Sequence, residues 1–450
     1  MRLLHVSDWH LGRQIGRHPR DAEFDAVLAE IAEIARDARP DLIVHSGDLF
    51  DVYLPAVADL GRAVGALREL ADVAPVLVVR GNHDSPNLLR FLDGMENGFG
   101  RRPGETRRIA FADAARPPED GGVLEYPAHG GEQTIRIAAL PFVHQNRFAE
   151  GFASPETATH DYAQQLRVIQ NRLAEGLAEG ARDDRDVLVF AAHMFVEGAQ
   201  PSHSERRIDI ADSYASPAQS MPKVAYGALG HIHKPQDVTR AGFVARYAGS
   251  PLQLDFGEAG ERKSVVVVEA EPGRSRRPKV EPVPLAAGRP LVEVEGTLEQ
   301  IAQRADRIGD AYVKAVVDTE QPARDLADAV MKALPKATVV AVDERCAARA
   351  VAVVSRSAAQ QREADMSELF HDYLGTLKTG NFDAARVLET FTEMLGAVER
   401  EEPASCCEED QLRAALRESA SGEAELDGLD GLDGLDGLDE NVGAGTGAGA

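Results

Sequence analysis

The chain has 450 residues, too many for one small domain and enough for two or three, and its 44% hydrophobic content supplies a sizeable core. No run of about 18 apolar residues occurs, so a transmembrane helix is excluded. The net charge of −25 by itself opposes a nucleic-acid partner, because phosphate contacts need Lys and Arg, but residues 399–450 hold fifteen acidic side chains against Arg400, Arg413 and Arg417. The body before that tail is still acidic, so any polyanion must meet local basic patches or metal ions that neutralise carboxylates. The N-terminus lacks the apolar stretch and cleavage site of a signal peptide. Three cysteines, Cys346, Cys406 and Cys407, make no disulfide framework, and a reducing cytoplasm is expected.

Residues 2–7 form a short apolar run, predicting a strand. Residues 21–38 carry Phe24, Val27, Leu28, Ile31 and Ile34 at helical spacing. Residues 41–46 read as a buried strand, 56–71 as a helix and 75–80 as a strand. Strand–helix–strand units of this length predict parallel pairing with right-handed crossovers. Residues 93–131, rich in Gly, Pro and Arg, read as a long irregular excursion. Strands follow at 134–140, 186–192, 224–229, 243–248 and 263–269, with a helix over 160–179. The Pro-rich stretch 271–290 reads as a linker.

A small α/β module comes next: strand 291–294, helix 298–308, strand 312–317, helix 323–334 and strand 338–342. Residues 366–398 have two amphipathic stretches, Leu369, Phe370, Tyr373, Leu374 and Leu377, then Phe382, Val387, Leu388, Phe391 and Leu395, broken at Gly380-Asn381. The tail repeats Leu-Asp-Gly over 426–437, a disordered and solvating composition. The expected division is a catalytic domain over 1–270, an α/β capping domain over 285–360, a helical segment over 362–400 and a tail over 401–450.

Five predicted strands end in potential metal ligands: Asp8 and His10, then Asp48, then Asn82 of Asn82-His83-Asp84, then His193, then His231 and His233. Sites in parallel sheets form at the carboxyl ends of strands, so five such endings point to one convergent site. Any one of them alone could be a turn aspartate or a bonded core histidine. Carboxylate, imidazole and amide oxygen without thiolate suit Mn²⁺, Mg²⁺, Fe or Zn. Seven donors suit two ions about 3.5–4 Å apart that share a bridging carboxylate and clamp a phosphate for in-line attack. His5 and His45 lie within strands and read as core residues, and Trp9 as packing.

The order Asp8-Trp9-His10, Gly47-Asp48, Gly81-Asn82-His83-Asp84, His193 and Gly230-His231-Ile232-His233 resembles the calcineurin-like metallophosphoesterase superfamily. The stretches His5 to Gly12, Gly47 to Asp51 and Gly249-Ser250-Pro251-Leu252 are similar to its SbcD branch of nuclease subunits. The resemblance covers about residues 1–400. It implies an α/β fold, a β-sandwich flanked by helices, then the capping domain and C-terminal helices. It implies one ion on Asp8, His10, Asp48 and His233 and a second on Asp48, Asn82, His193 and His231. Asp48 would bridge, His83 would serve the transition state or leaving oxygen, and Asp84 would orient His83.

Archaeal and eukaryotic relatives carry a second catalytic histidine where this chain has Asp51. The resemblance further implies two Mn²⁺ ions, a DNA substrate, double-strand 3′–5′ exonuclease and single-strand or hairpin endonuclease action, and an SMC-like ATPase partner, SbcC, gripped by residues 362–400. A heterotetramer of two copies each, a homodimer through the nuclease domain and a place at the nucleoid follow from it too. Candidate DNA contacts are Arg13, Arg17, Arg101, Arg102, Arg107 and Arg108, with His18, Arg20, Arg80, Arg90, Arg206, Arg207 and Lys234 as further basic residues. The rival readings are a small-molecule phosphoesterase on the same site and a non-catalytic scaffold, against which the complete ligand set argues.

Overall fold

The computed structural model describes residues 1–98, 108–144, 162–202, 204–205, 215–273 and 277–348, with 370, 386–388 and 390–392. The chain divides into two compact units, Met1–Val351 and Ala352–Ala450.

The first unit begins β1 (Arg2–Val6), α1 (Asp21–Ala38), β2 (Leu42–His45), α2 (Val57–Ala71), β3 (Val76–Val79), α3 (Pro86–Asn97) and β4 (Ile109–Ala112). It continues β5 (Val123–Ala128), β6 (Gln133–Leu140), α4 (Tyr162–Ala178), β7 (Asp186–His193), β8 (Tyr226–Gly230), β9 (Gln236–Asp237), β10 (Ala245–Tyr247), β11 (Ser264–Glu269) and β12 (Lys279–Pro284). These strands make two six-stranded sheets, in the orders β12-β11-β1-β2-β3-β4 and β5-β6-β7-β8-β10-β9. In the first, β1 to β4 run parallel. In the second, β6, β7, β8 and β10 do.

Alternation along the strands decides the layers. Leu3, Leu42, Val44, Leu77 and Val79 pack with Ile135, Ile137, Val187, Val189, Tyr226 and Ala228 between the sheets. Leu4, Val6, Ile43, Val76 and Val78 face the other way, onto Phe24, Val27 and Ile31 of α1 and Ala63, Leu67 and Leu70 of α2. Phe190, Ala192 and Leu140 likewise meet Leu166, Ile169 and Leu173 of α4. The result is a β-sandwich covered by helices on both outer faces, and strands buried on both sides read as unbroken apolar runs. Each large aliphatic side chain so buried contributes about 1.5–3 kcal/mol relative to exposure.

The second part of the unit is a three-stranded parallel sheet, β13 (Leu291–Gly296), β14 (Tyr312–Thr319) and β15 (Thr338–Cys346), with α5 (Leu298–Ala302), α6 (Ala305–Ile308) and α7 (Leu326–Ala333). Its core of Val294, Ile301, Val313, Ala315 and Val330 is separate from that of the sandwich. The two are joined by a small cluster of Ile15, Leu291 and Tyr312 with Phe256 and Val340. The Glu23 carboxylate ties the joint: it accepts from Arg20, the Arg289 backbone N–H (2.8 Å) and the Tyr312 hydroxyl (2.9 Å).

Three expectations need correction. The excursion over 93–131 contains the end of α3 and all of β4 and β5. The four residues of β4 sit between Arg108 and a polar loop, too short a run to stand out. The linker over 271–290 contains β12, whose Pro282 and Pro284 pair opposite Val266 and Ser264 on a sheet edge, where a missing N–H costs no ladder bond. The helix over 298–308 is split at Gln303-Arg304 into α5, which opens on a Thr297–Gln300 capping box, and α6. The helical segment over 362–400 lies mostly outside the described residues. Within it, Phe370 and Phe391 stack at 4.0 Å between ring centroids. The tail over 401–450 lies wholly outside them.

Candidate metal centre

All five ligand-bearing motifs leave the carboxyl ends of parallel strands. Asp8 and His10 follow β1, Asp48 follows β2 and Asn82 to Asp84 follow β3, while His193 ends β7 and His231 and His233 follow β8. The site therefore lies where one end of each sheet meets the other. Four of these residues have left-handed backbone: Asp8 (φ 50°), His10 (φ 47°), Asp48 (φ 53°) and His231 (φ 104°). Such strain costs about 1–3 kcal/mol per residue and persists at sites where a side chain must be aimed. The glycines beside them allow close approach. A Cβ on Gly81 would stand 2.0 Å from Asp48 Oδ1, and one on Gly47 would stand 2.1 Å from His193 Nδ1.

The seven side chains are buried, none more than 6% exposed. Donor atoms of Asp8, His10, Asp48 and His233 lie within 4.8 Å of one another, as do those of Asp48, His193 and His231. Asp48 is common to both groups. Its Oδ2 is 3.4 Å from His10 Nε2 and 3.3 Å from His193 Nε2. Asn82 Oδ1 lies 2.9 Å from His193 Nε2 and 3.0 Å from His231 Nδ1. The His193 Nδ1–H donates to the Ser46 carbonyl (2.9 Å), so in the neutral ring Nε2 presents a lone pair to an oxygen. His10 Nε2 is buried and has no hydrogen-bond partner among the described residues. Lone pairs facing lone pairs in a buried cluster suit a divalent metal site.

The electrostatics agree. Burial alone would raise Asp48, but the imidazoles of His193, His83 and His10 outweigh it and hold this carboxyl well below the usual range. Asp8, burial dominating, is pushed up. Burial would lower His10, yet the adjacent carboxylates of Asp48 and Asp51 lift it to about 10. Asp84 is raised to about 6 by burial and the Asp48 charge, against three backbone N–H bonds. His5 and His45, buried within strands, are driven down to about 3. Trp9 is fully buried against the edge of His45, a packing role.

His83 is half-buried. Its backbone N–H donates to Asp48 Oδ1 (2.9 Å), and its Nδ1 to the Asp51 carbonyl (2.6 Å). The Asp84 carboxylate accepts from the backbone N–H groups of Leu49, Phe50 and Gly81, and so braces the two loops. Several partners escaped the sequence reading. Asp51 Oδ1 accepts from His10 Nδ1 (3.1 Å), Glu205 accepts the His233 backbone N–H (3.0 Å), and Phe142 stacks on His231. Only Asp51, next to a ligand motif, left a signal.

The basic candidates divide sharply. Arg13 reaches Asp51 and the Leu254 carbonyl beside the cluster. Arg17 is exposed on the same loop. Arg108 precedes β4, at the opposite end of the sheet from the cluster, and pairs with Asp72. Arg20 is committed to Glu23, Arg80 to three backbone carbonyls and Arg90 to Asp113. Arg101, Arg102, Arg107, Arg206 and Arg207 lie outside the described residues.

The sandwich and its donor set are those of a calcineurin-like phosphoesterase, and the profile of that family matches residues 1–235. A second profile, the type 5 capsule protein repressor C-terminal domain, matches residues 287–376. The SbcD subunit of the nuclease SbcCD from Bacillus subtilis is 34% identical over 299 residues, 65% of this chain and 72% of that protein. Its counterpart in Escherichia coli K12 is 30% identical over 319 residues, 69% of this chain and 74% of that protein. The Rhodobacter capsulatus counterpart is 27% identical, over 74% of this chain and 85% of that protein. The chain belongs to the SbcD family of calcineurin-like phosphoesterases.

Proposed function

We propose that this chain hydrolyses the phosphodiester backbone of DNA with two Mn²⁺ ions and works with an SMC-like ATPase of the SbcC kind. The observation that carries the reading is the convergence of seven buried donors on Asp48. Asp8, His10, Asp48 and His233 would hold one ion, and Asp48, Asn82, His193 and His231 the other. Oxygen and nitrogen donors without thiolate favour Mn²⁺ over softer ions. Bound ions would polarise phosphoryl oxygens and acidify water. With its Nδ1–H anchored on the Asp51 carbonyl, His83 in its protonated form would give the Nε2 proton to the leaving oxygen and return to the neutral ring. Arg13 and Arg17 position the backbone without reading sequence.

The cleavage modes, double-strand exonuclease and single-strand or hairpin endonuclease, belong to this reading, as does gating by the partner's ATP hydrolysis. Residues 285–360 cap the site, and residues 362–400 grip the ATPase. A homodimer within a two-plus-two complex is supported by apolar side chains left in solvent around α2 and α3: Leu54, Val57, Phe91 and Met95 are 82%, 84%, 53% and 57% exposed.

The test is an assay of the purified protein with Mn²⁺ on linear double-stranded DNA, with and without the ATPase and ATP, beside His83→Ala. Cleavage that needs His83 and rises with ATPase and ATP is expected. Hydrolysis of nitrophenyl phosphate with DNA left intact would instead mark a small-molecule phosphoesterase.

A further inference from the structure

His233 is held through both its backbone and its ring by a network of buried groups. Its backbone N–H donates to Glu205 Oε1 (3.0 Å), and its carbonyl accepts from Lys263 Nζ (2.9 Å) and the Ser250 N–H (3.1 Å). Its ring Nδ1 lies 2.6 Å from Ser204 Oγ, and the same hydroxyl meets Glu258 Oε1. Glu258 Oε2 accepts the Leu254 N–H (3.1 Å) and pairs with Lys263 Nζ at 2.6 Å. The Glu258 side chain is fully buried and that of Lys263 only 5% exposed. A buried ion pair of this kind gains little stability over an apolar pair of the same volume, so its presence beneath a ligand needs another reason.

The reason lies in counting hydrogens. A serine hydroxyl has one hydrogen to give and lone pairs to receive, whereas an ionised carboxylate only receives. With Lys263 against it, Glu258 is the acceptor. The Ser204 hydrogen therefore goes to Glu258, and Ser204 Oγ is left to accept from His233. That demands a hydrogen on Nδ1, and in the neutral ring the lone pair is then on Nε2, the nitrogen left for the cluster. We propose that Glu258, acting through Ser204, is a positioning residue that fixes the tautomer of His233 in the state able to take a metal ion. The proposal rests on the reading of His233 as a ligand of the first ion. Partners of a ligating imidazole typically change metal affinity by about 10–100-fold when removed.

Calorimetric titration of the full-length chain with Mn²⁺, alongside thermal melting, tests this with four variants. His233→Ala is expected to lose one of two binding events. Ser204→Ala leaves the Glu258–Lys263 pair intact, and it should weaken that same event by about 10–100-fold while sparing the other. Ser204→Thr, which keeps the hydroxyl, should restore it. Glu258→Gln should weaken the same event and also lower the melting temperature, because Lys263 is left with Glu261 as its carboxylate partner. If Ser204→Ala binds both ions as the parent does while His233→Ala loses one, the relay is wrong and the ligand reading stands. Equal weakening of both events by Ser204→Ala would reduce the hydroxyl to a structural role and overturn the proposal. Unchanged binding by His233→Ala would remove the ligand reading and the proposal with it.

Discussion

Asp51 directly follows the apolar pair that closes the second ligand motif, and its two functional groups serve two different histidines. The carboxylate receives the His10 ring N–H, and the backbone carbonyl receives that of His83. Removing the carboxylate leaves His10 free to rotate or to choose the wrong tautomer. Asp51→Ala should therefore weaken Mn²⁺ binding by about 10–100-fold. Asp51→Asn, which can still accept the ring N–H, should recover part of the loss, and equilibrium titration with Mn²⁺ checks both. His83 separates binding from chemistry. His83→Ala is expected to lower kcat by about 10²–10⁴-fold with Mn²⁺ affinity unchanged, read from single-turnover cleavage beside the same titration. The cluster residues were legible because each motif follows an apolar run. The Ser204–Glu258 relay was not, because its members lie 29 and 54 residues from their partners along the chain.

Elements of this fold act as pointers. Short parallel strands deliver the ligand loops, and the glycines at the turns let one loop's backbone approach another's side chain. The same loops carry the joint to the β13–β15 module. Ile15 from the first ligand loop packs on Leu291 and Tyr312, and Gln253 Oε1 accepts the Leu291 N–H (2.8 Å). Glu23 binds this joint as an ionised group: burial would raise its pKa, but Arg20, the Arg289 N–H and the Tyr312 hydroxyl outweigh burial and lower it below 4.5. A depressed folded pKa contributes stability that is present above the unfolded value and lost as pH falls through the folded one. The melting-temperature difference between the parent and Glu23→Gln should thus be full at neutral pH and close as pH falls below 4.5. A difference that stays constant across that range would show that the charge of Glu23 does not hold the joint.

At the scale of the whole molecule, the cluster stores electrostatic cost that cations relieve. Carboxylates and imidazoles packed without solvent are held at shifted protonation, and ions that bind only the folded state stabilise it by mass action. Chelation should lower the melting temperature and abolish phosphoester hydrolysis, and Mn²⁺ should restore both. The exposed apolar side chains around α2 and α3 make a second prediction. Val57→Glu with Phe91→Glu should convert a dimer to a monomer in sedimentation velocity while leaving Mn²⁺ binding intact. A dimer that survives both charges would place the contact elsewhere. Deleting residues 362–450 should leave a folded nuclease that no longer copurifies with the ATPase.

By itself, the sequence determined the chemistry on offer: which residue types end which strands, and that those strands are followed by a small α/β module. Those facts depend on local patterning, apolar runs and turn residues, which a linear reading can see. Only the tertiary structure decided how the ligands meet and how they are held. The ends of two different sheets come together at Asp48 because side-chain alternation buries one face of each sheet against the other. Strand direction put Arg108 at the end of the sheet away from the cluster, and edge position let a Pro-rich stretch become β12. The hydrogen-bond partners of the histidines were hidden for the same reason. A hydrogen bond is set by distance in space, and nothing in the spacing of Ser204, His233 and Glu258 along the chain encodes it.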